Sequence, residues 1–345
     1  MKVAAVMSAA ALALAACGDS GETGSGGETT TSAAGKSDVK VGMAYDVGGR
    51  GDQSFNDAAA AGLDKAKAEL GVEAKEATAV DKEPESAREE RLQQLIDAGY
   101  TSIVAVGFAY APSVAKVSKA NPDVHFALVD STDAKADNIA NLTFAEHEGS
   151  FLVGAAAALK SQKKHVGFVG GVGVDLIKKF EAGYKAGVQA VNKDIKVDVT
   201  YLTQPPDFSG FGDPAKGKTA AEGMYQGGAD VVYHAAGGSG GGVFTAAKAA
   251  GGMAIGVDSD QALTAPADVK DVIITSMIKK VDVAVYDYIK AEVDGAFKAG
   301  EQTFDLKAGG VDYSTTGGKI DDIKAKLDDY KQQIIDGKIT VPTKP

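Results

Sequence analysis

Residues 39–78 read VKVGMAYDVGGRGDQSFNDAAAAGLDKAKAELGVEAKEAT, and this stretch contains the pattern that decides the fold. Val39–Tyr45 is a short β-prone run, and after a glycine-rich loop the apolar residues of Ser54–Leu70 recur at helical spacing. We expect the Ser54 side chain to cap that helix. Glu73–Thr78 is β-prone again. The order strand, helix, strand predicts a βαβ unit with parallel strands.

The same alternation continues outward to the C-terminus. A first set of five strands is completed by predicted strands at Ser102–Val106, Val124–Val129 and Ile139–Phe144, with helices at Pro84–Ala98, Ala111–Ala120 and Glu148–Leu159. A second set has predicted strands at His165–Gly170, Lys196–Tyr201, Val231–His234, Ala254–Val257 and Ile273–Met277, with helices at Leu176–Val191, Pro214–Tyr225, Val243–Ala249, Val281–Phe297 and Ile323–Ile335. This repetition predicts two similar α/β lobes in tandem.

Composition limits the class of protein. With 44% hydrophobic and 24% charged residues the chain is globular rather than disordered or polytopic, and 345 residues favour two lobes over one. The net charge of −11 argues against nucleic acid as a partner, because phosphate backbones are bound by clustered Lys and Arg. The single cysteine excludes a disulfide scaffold and a multi-cysteine zinc site.

The position of that cysteine is informative. Val3–Ala16 is a short apolar stretch, too short to span a bilayer but of the size of a signal-peptide core. It ends in Leu14-Ala15-Ala16-Cys17, which resembles the lipobox of bacterial lipoproteins. We therefore expect residues 1–16 to be a signal peptide, Cys17 to carry a lipid, and residues 17–37, rich in Gly, Ser and Thr, to be a flexible tether. This predicts a lipid-anchored protein on the extracytoplasmic face of the cell membrane; an ordinary buried helix is the alternative.

Carboxylates and glycines cluster where predicted strands end. Asp46, Asp130 and Asp258 each follow a strand, and the glycine-rich Gly237–Gly242 follows another. Ligands of open parallel sheets bind beyond these strand ends. Carboxylates, together with glycine backbone that no side chain covers, suit a neutral polyhydroxyl ligand better than an anion. The glycine loop lacks the Lys-Ser/Thr of a P-loop and the G-x-G-x-x-G spacing. Its glycines either permit a turn or let the backbone approach a neutral ligand.

Two further patterns have a functional and a structural interpretation. Asp258 and Asp260 could bind vicinal ribose hydroxyls or Ca²⁺, or they could be isolated surface or capping carboxylates. The Phe55 and Phe180 rings could sandwich a planar base from opposite lobes, or they could belong to the cores.

Catalytic and metal chemistry has no candidate in the sequence. The histidines have no metal-ligand spacing and are expected to be structural; they are His125, His147, His165 and His234. No G-x-S-x-G motif occurs, and the one cysteine is assigned to the lipid. We therefore expect no enzyme, no metal and no cofactor. The tripeptide Arg50-Gly51-Asp52 matches an adhesion motif, which in a glycine-rich loop is expected by chance.

Local motifs resemble those of the basic membrane protein (BMP) family, nucleoside-binding lipoproteins of ABC transporters. The matching segments, in family order, are Gly107–Phe108, Glu148–Gly154, Gly167–Gly171, Asp213–Gly217, Ala235–Gly238, Gly256–Gln261 and Thr275–Asp282. They cover both lobes. The segment Thr203–Gly212 and the loop Val172–Asp175 depart from the family pattern.

The resemblance implies a type I periplasmic-binding-protein fold whose cleft closes on a purine nucleoside. By position it implies that Phe55 and Phe180 stack on the base and that Asp130 meets the polar edge of the base. Asp258 and Lys279 would bind the ribose hydroxyls. The remaining ligand-binding residues that it implies are Asp46, Asn56, Phe108 and Gly238.

The resemblance also implies how the chain is divided. The N-terminal lobe would be 38–145 plus 278–308 and the C-terminal lobe 146–277 plus 309–345, with crossings near Thr143–Glu146, Thr275–Lys279 and Ala308–Tyr313. The expected partner is an ABC transporter permease that recognises the closed form of a monomeric protein. The alternatives are a sugar or signalling-molecule receptor of the same fold, a nucleoside hydrolase and a surface adhesin.

Overall fold

The computed structural model describes residues 37–345, in which the chain forms twelve strands and ten helices. The strands are β1 (Lys40–Tyr45), β2 (Glu73–Thr78), β3 (Ser102–Ala105), β4 (His125–Val129), β5 (Ile139–Phe144), β6 (His165–Val172), β7 (Lys196–Thr203), β8 (Val231–Ala235), β9 (Met253–Asp258), β10 (Ile273–Lys279), β11 (Gly300–Phe304) and β12 (Val311–Tyr313). The helices are α1 (Phe55–Leu70), α2 (Glu85–Asp97), α3 (Ala111–Ala120), α4 (Glu146–Lys160), α5 (Asp175–Val191), α6 (Pro214–Gln226), α7 (Gly240–Ala250), α8 (Gln261–Thr264), α9 (Val281–Val293) and α10 (Lys324–Ile335). The predicted signal peptide, Cys17 and all but the last residue of the predicted tether lie outside the described residues.

The strands form two six-stranded sheets, which confirms the predicted α/β architecture. The first sheet has the order β11-β5-β4-β3-β1-β2 and is parallel throughout. The second has the order β12-β10-β9-β8-β6-β7 and is parallel except for the β10–β12 pair. In each sheet the strand order reverses next to the first strand of the lobe, between β1 and β3 or between β6 and β8. Ligands of open α/β sheets bind at such reversal points.

Strand burial follows position in the sheet. Every residue of β3 and β6 is buried, because helices cover both faces of these central strands. The edge strands β2 and β7 have no fully buried residue. The long apolar runs are therefore core strands, and the polar runs are edges.

The largest differences between the structure and the sequence-based elements are in five places. β11, β12 and α8 were not predicted, because each is short and mostly polar or irregular in pattern and depends on tertiary contacts. Helix α7 begins at Gly240 rather than Val243. Helix α9 ends at Val293, before the predicted Phe297, and the chain turns at Gly295 with a φ of 64°.

The helices α4 and α5 cross at a distance that only glycine allows. A Cβ atom on Gly183 would lie 2.0 Å from the His147 carbonyl oxygen, and one on Gly187 would lie 2.0 Å from the Phe151 carbonyl oxygen. Such contacts are closer than real side-chain atoms tolerate, so the two helix backbones touch directly. This crossing fixes the position of α5 and therefore the position of Phe180, which lies on it.

The chain passes between the sheets three times. After β5 it leaves the first sheet and enters α4, which packs on α5 and β10. After β10 it returns to α9, which packs on α1 of the first lobe. The third crossing leads from β11 in the first sheet to β12 in the second. The predicted boundary at 277/278 falls inside β10, which stays in the second sheet as far as Lys279. In residues 37–345 no helix is both long enough and apolar enough to cross a membrane.

Gly183→Ala should destabilise the fold by about 1–3 kcal/mol, because its Cβ must push α4 and α5 apart. Urea unfolding measures the change. The matched control is Gly223→Ala on α6, where a Cβ meets no atom within 4 Å. Because alanine is the better helix former, Gly223→Ala should stabilise by about 0.5–1 kcal/mol. Equal effects of the two substitutions would contradict the close crossing.

Candidate functional site

A cavity lies between the carboxyl ends of the two sheets. Its wall contains all of the predicted side-chain contacts: Asp46, Phe55, Asn56, Phe108, Asp130, Phe180, Asp258 and Lys279. The structure does not bring Gly238 to the wall; its neighbour Gly237 lies there instead. Residues that are more than 200 positions apart in the chain therefore face one space.

Asp52 shapes the loop between β1 and α1. Its carboxylate accepts hydrogen bonds from the backbone N–H groups of Ser54, Asn56 and Asp57, at 2.9, 2.9 and 3.1 Å. Asp52 therefore caps the helix. The prediction that Ser54 would cap it is wrong, because its hydroxyl donates instead to Asp258 Oδ2 across the cavity, at 2.5 Å.

Asn56 holds the same loop. Its Oδ1 accepts from the Asp46 N–H at 3.2 Å, and its Nδ2 donates to Asp52 Oδ2 at 3.0 Å. The amide is thus committed to backbone and loop contacts although the residue lies on the cavity wall. Asp46 also accepts from the Val47 N–H at 2.8 Å and lies against Gly107, where a Cβ would be 2.6 Å from Asp46 Oδ2. Gly107 is therefore required for the position of Asp46.

A buried cation lies at the centre of the site. Lys279, at the end of β10, is only 2% exposed, and its Nζ is 2.6 Å from Asp130 Oδ2 and 3.3 Å from Glu146 Oε1. The same nitrogen lies 5.1 Å from the centroid of Phe55 and 5.6 Å from that of Phe180. The ammonium group is thus held by two carboxylates next to the two aromatic side chains predicted to stack on a base.

Two aspartates of the site have left-handed backbone conformations. Asp130 has a φ of 67° and Asp258 a φ of 64°, each directly at the end of a strand. Non-glycine residues rarely adopt this conformation, and it concentrates at functional sites. Asp130 Oδ1 is buried without a hydrogen-bond partner in the described part of the chain. The turn therefore places an acceptor oxygen at the cavity.

Burial controls the acidity of these carboxyl groups. It raises the pKa of Asp46 to about 6, against the lowering effect of the Val47 N–H and Arg88. It likewise raises the pKa of Asp258 to about 6, against the lowering effects of Lys279 and the Ser54 hydroxyl. Burial alone would lower the pKa of Lys279, but the charges of Asp130, Glu146 and Asp258 raise it above its ordinary value. Lys279 is therefore a permanent cation at neutral pH.

Phe108 closes one end of the cavity. Its ring makes edge-to-face contacts with Phe208 and Phe211, at centroid distances of 5.7 and 6.4 Å. The latter two rings belong to the segment between β7 and α6, the region whose family resemblance was weakest. Here the first lobe touches the second through aromatic side chains.

The glycine-rich stretch after β8 is a turn followed directly by a helix. Gly237 has a φ of 53°, whereas Gly240 and Gly242 belong to α7. A Cβ on Gly242 would lie 1.9 Å from the Pro214 carbonyl oxygen, so this glycine permits the packing of α6 on α7. The turn interpretation holds for Gly237, whereas Gly242 permits close packing of one helix on another, which neither interpretation predicted.

The two carboxylates of the Asp258-x-Asp260 pair point to different partners. Asp258 accepts from Ser54, whereas Asp260 Oδ2 accepts from Thr316 Oγ1 at 2.5 Å. Within residues 37–345 no three His, Cys, Asp or Glu side chains are grouped so as to hold a metal ion.

Sequence reasoning missed part of the cavity wall. The additional residues are Val47, Asp52, Gly107, Leu176, Ile177, Phe211, Ala235, Ala236, Gly237 and Val257. Most lie in the strand-end loops that were singled out, so position at a strand end was a usable signal. Phe211 and the buried Glu146 carried no such signal, because only tertiary packing brings them to the site.

A model of the family described as "Bmp: ABC transporter substrate-binding protein PnrA-like" matches residues 39–344. The chain belongs to this family. It is 35% identical to the "ABC transporter nucleoside-binding protein BmpA" of Lactococcus lactis subsp. cremoris, over 99% of this chain and 98% of the relative. It is 38% identical to an uncharacterised lipoprotein of Pyrococcus abyssi, over 84% of this chain and 72% of the relative.

Solved structures agree with this assignment. An ABC transporter solute-binding protein from Aeropyrum pernix K1 matches with a TM-score of 0.78 and 33% identity, over 88% of this chain and 93% of that one. The fold is therefore the predicted type I periplasmic-binding-protein fold. The Bmp-family chain is an ABC transporter substrate-binding protein and not an enzyme.

Lys279→Met should destabilise the Bmp-family chain by about 3 kcal/mol at pH 7, because Asp130 and Glu146 lose their counter-ion in a buried site. Urea unfolding measures the loss. Adding Asp130→Asn should restore part of it, since one uncompensated charge disappears. Lys290→Met on α9 breaks an exposed ion pair with Asp294 and should cost less than about 0.5 kcal/mol. A loss at Lys279 no larger than at Lys290 would refute the role of the buried pair.

The raised pKa of Asp46 should make the free energy of unfolding depend on pH. Its pKa of about 6 in the folded state exceeds the ordinary value of 3.8, so the folded state binds more protons between these pH values. This contribution stabilises at low pH and is lost as the pH rises from about 4 to about 6. In Asp46→Asn that fall should be smaller when unfolding is measured at pH 4.5, 5.5 and 7.

A contrasting variant is available on the surface of α1. The Arg50 hydrogen bond lowers the pKa of Asp64, so its stabilising contribution is lost as the pH falls. That loss begins near the ordinary value of 3.8 and continues below it, so Asp64→Asn should change the pH slope in the opposite direction when unfolding is measured between about pH 3 and pH 4.5. A change of the same sign in Asp46→Asn and Asp64→Asn would contradict the assigned environments.

Proposed function

We propose that the protein captures a purine nucleoside between its lobes and delivers it to an ABC transporter permease. The observation that carries the proposal is the pairing, in one cavity, of an aromatic side chain from each lobe with carboxylates around a single buried ammonium. Aromatic faces suit a planar base, and ionised carboxylates accept hydrogen bonds from vicinal hydroxyls. The name of the Lactococcus relative, a nucleoside-binding protein, supports a nucleoside as the ligand.

Each part of the cavity has a role in this proposal. Phe55 and Phe180 stack on the base, and the unpartnered Oδ1 of Asp130 accepts a hydrogen bond from a base N–H group. Asp258 and Lys279 bind the ribose hydroxyls. Asp46 adds a second acceptor on the first lobe, while Asn56 acts by holding the loop that carries Asp46 and Phe55.

The charge of the wall supports a neutral ligand over a phosphorylated one. The lining includes four carboxylates, those of Asp46, Asp52, Asp130 and Asp258, and one ammonium, that of Lys279. A nucleotide phosphate would add negative charge to a buried, net acidic space with no free cation in the described wall. Repulsion between like charges in such a space costs several kcal/mol. Nucleoside monophosphates should therefore be rejected.

The proposal includes how the protein is held and used. We propose that Cys17 carries a lipid after removal of residues 1–16, that residues 17–37 are the tether, and that a monomer works at the extracytoplasmic face of the cell membrane. The Pyrococcus relative is named a lipoprotein, which supports this arrangement. The lobes, divided near 145/146, at the end of β10 after Lys279 and near 308/309, close on the ligand, and the permease recognises the closed form.

A thermal-shift panel tests the ligand class directly. Purine nucleosides at about 100 times the dissociation constant should add about 2.7 kcal/mol of stability, because they bind only the folded state. Pyrimidine nucleosides, free hypoxanthine and inosine monophosphate should give less, and ribose alone should give no shift. A response to ribose without one to nucleosides would instead establish a sugar receptor.

Variants separate the remaining alternatives. Phe55→Ala and Asp258→Ala should each abolish the nucleoside shift, whereas Phe297→Ala, which removes a ring stacked on His125 away from the cavity, should retain it. A sugar or signalling-molecule receptor that stacks no base would tolerate Phe55→Ala. Incubation with inosine should release no hypoxanthine; release would identify a nucleoside hydrolase.

A further inference from the structure

The two lobes touch directly beside the cavity. Gln261 Nε2, at the start of α8, donates to the backbone carbonyl of Gln53 at 3.0 Å, and Ser259 Oγ donates to the carbonyl of Ser54 at 3.2 Å. Gln53 and Ser54 precede α1 in the first lobe, whereas Ser259 and Gln261 follow β9 in the second. Gln261 is 2% exposed and is not part of the cavity wall. This contact between lobes is thus separate from the ligand contacts.

The direction of the Gln261 amide is set from within its own lobe. Its Oε1 lies 3.0 Å from His234 Nε2 and accepts from the Val257 N–H at 2.8 Å. Burial lowers the pKa of His234 to about 4, so the ring is neutral at pH 7 and carries one N–H group. Because Gln261 Oε1 can only accept, that N–H is at Nε2, which donates the hydrogen bond to Gln261. Because two donors occupy Oε1, the amide nitrogen must point the other way, toward Gln53.

Two glycines make room for this pair. A Cβ on Gly240 would lie 1.9 Å from His234 Cε1, and a Cβ on Gly256 would lie 2.7 Å from Gln261 Oε1. The backbone of Gln261 is also fixed, since its N–H donates to Ser276 Oγ at 3.1 Å. The histidine and the glutamine are therefore packed in one orientation before any contact with the first lobe is made.

We propose that His234 and Gln261 are positioning residues that hold the lobes closed, by aiming a hydrogen-bond donor at the Gln53 carbonyl. The Gln53 carbonyl is backbone, so the first lobe presents this acceptor whichever ligand is bound. The pair sets the ratio of closed to open protein in the absence of ligand. It also sets the rate at which a bound nucleoside leaves, and this second consequence rests on the proposed function.

Gln261→Glu tests the proposal with nearly unchanged shape. The carboxylate can still accept from His234 and Val257, but it has no donor for Gln53 and places an oxygen against that carbonyl. Small-angle scattering of the ligand-free full-length protein, fitted as a mixture of this closed structure and an opened one, should show the closed-to-open ratio fall about fivefold or more. His234→Phe, which removes one of the two donors to Gln261 Oε1, should shift the ratio in the same direction by a smaller factor.

A matched amide-to-carboxylate change inside one lobe is the control. Asn138 Nδ2 donates to the carbonyls of Ser118, Asn121 and Val124, all in the first lobe. Asn138→Asp should lower the unfolding midpoint and leave the closed-to-open ratio unchanged. If Gln261→Glu leaves that ratio unchanged, or if Asn138→Asp shifts it as much, the proposal is overturned.

Nucleoside kinetics separate this proposal from the proposed function. In Gln261→Glu the dissociation rate of inosine should rise about fivefold or more, while the nucleosides that bind should stay the same. A fall in the scattering ratio with no inosine binding in any variant would support the closing contact and refute the nucleoside assignment. Normal inosine binding with an unchanged ratio and an unchanged dissociation rate would support the nucleoside assignment and refute the closing contact.

Discussion

The buried ammonium of Lys279 is the constraint on which the rest of the site depends. A lysine that is 2% exposed is stable only if its charge is neutralised nearby, and Asp130 and Glu146 supply that charge from the end of β4 and the start of α4. Asp130 belongs to the first lobe and Glu146 and Lys279 to the second. Glu146 and Lys279 each lie where the chain passes between the sheets, after β5 and after β10. One ion-pair cluster therefore links the position of the ligand groups to the relative position of the lobes.

The loop before α1 shows how local structure and closure are connected. Asp52 satisfies the first N–H groups of the helix, which frees the Ser54 hydroxyl for Asp258 on the opposite lobe. A residue type that normally caps a helix thus becomes a contact between lobes. The strained turns at Asp130 and Asp258 are supported in the same way, because each carboxylate finds a partner across the cavity rather than along its own strand.

The arrangement suits reversible binding rather than chemistry. The perturbed groups of the cavity are carboxyls whose pKa burial raises and a lysine whose pKa carboxylates raise, and each is held by partners that fix its position. Membership of a family of ABC transporter substrate-binding proteins agrees with this. Interlobe contacts through Ser54, Gln261 and Phe108 lie around the cavity, so the contacts that join the lobes also enclose the space between them.

The sequence by itself determined the alternation of strands and helices, because hydrophobic period and glycine breaks are local properties of the chain. It also determined that Asp46, Asp130 and Asp258 end strands, which places Asp46 and Asp130 at the carboxyl edge of the first sheet and Asp258 at that of the second. Only the tertiary structure decided that α8, β11 and β12 form, since short polar segments depend on their neighbours. It alone decided that Glu146 neutralises Lys279, that Phe211 lines the cavity, and that Gly237 rather than Gly238 does so. These are contacts between distant segments, and their geometry comes from packing rather than from any local pattern.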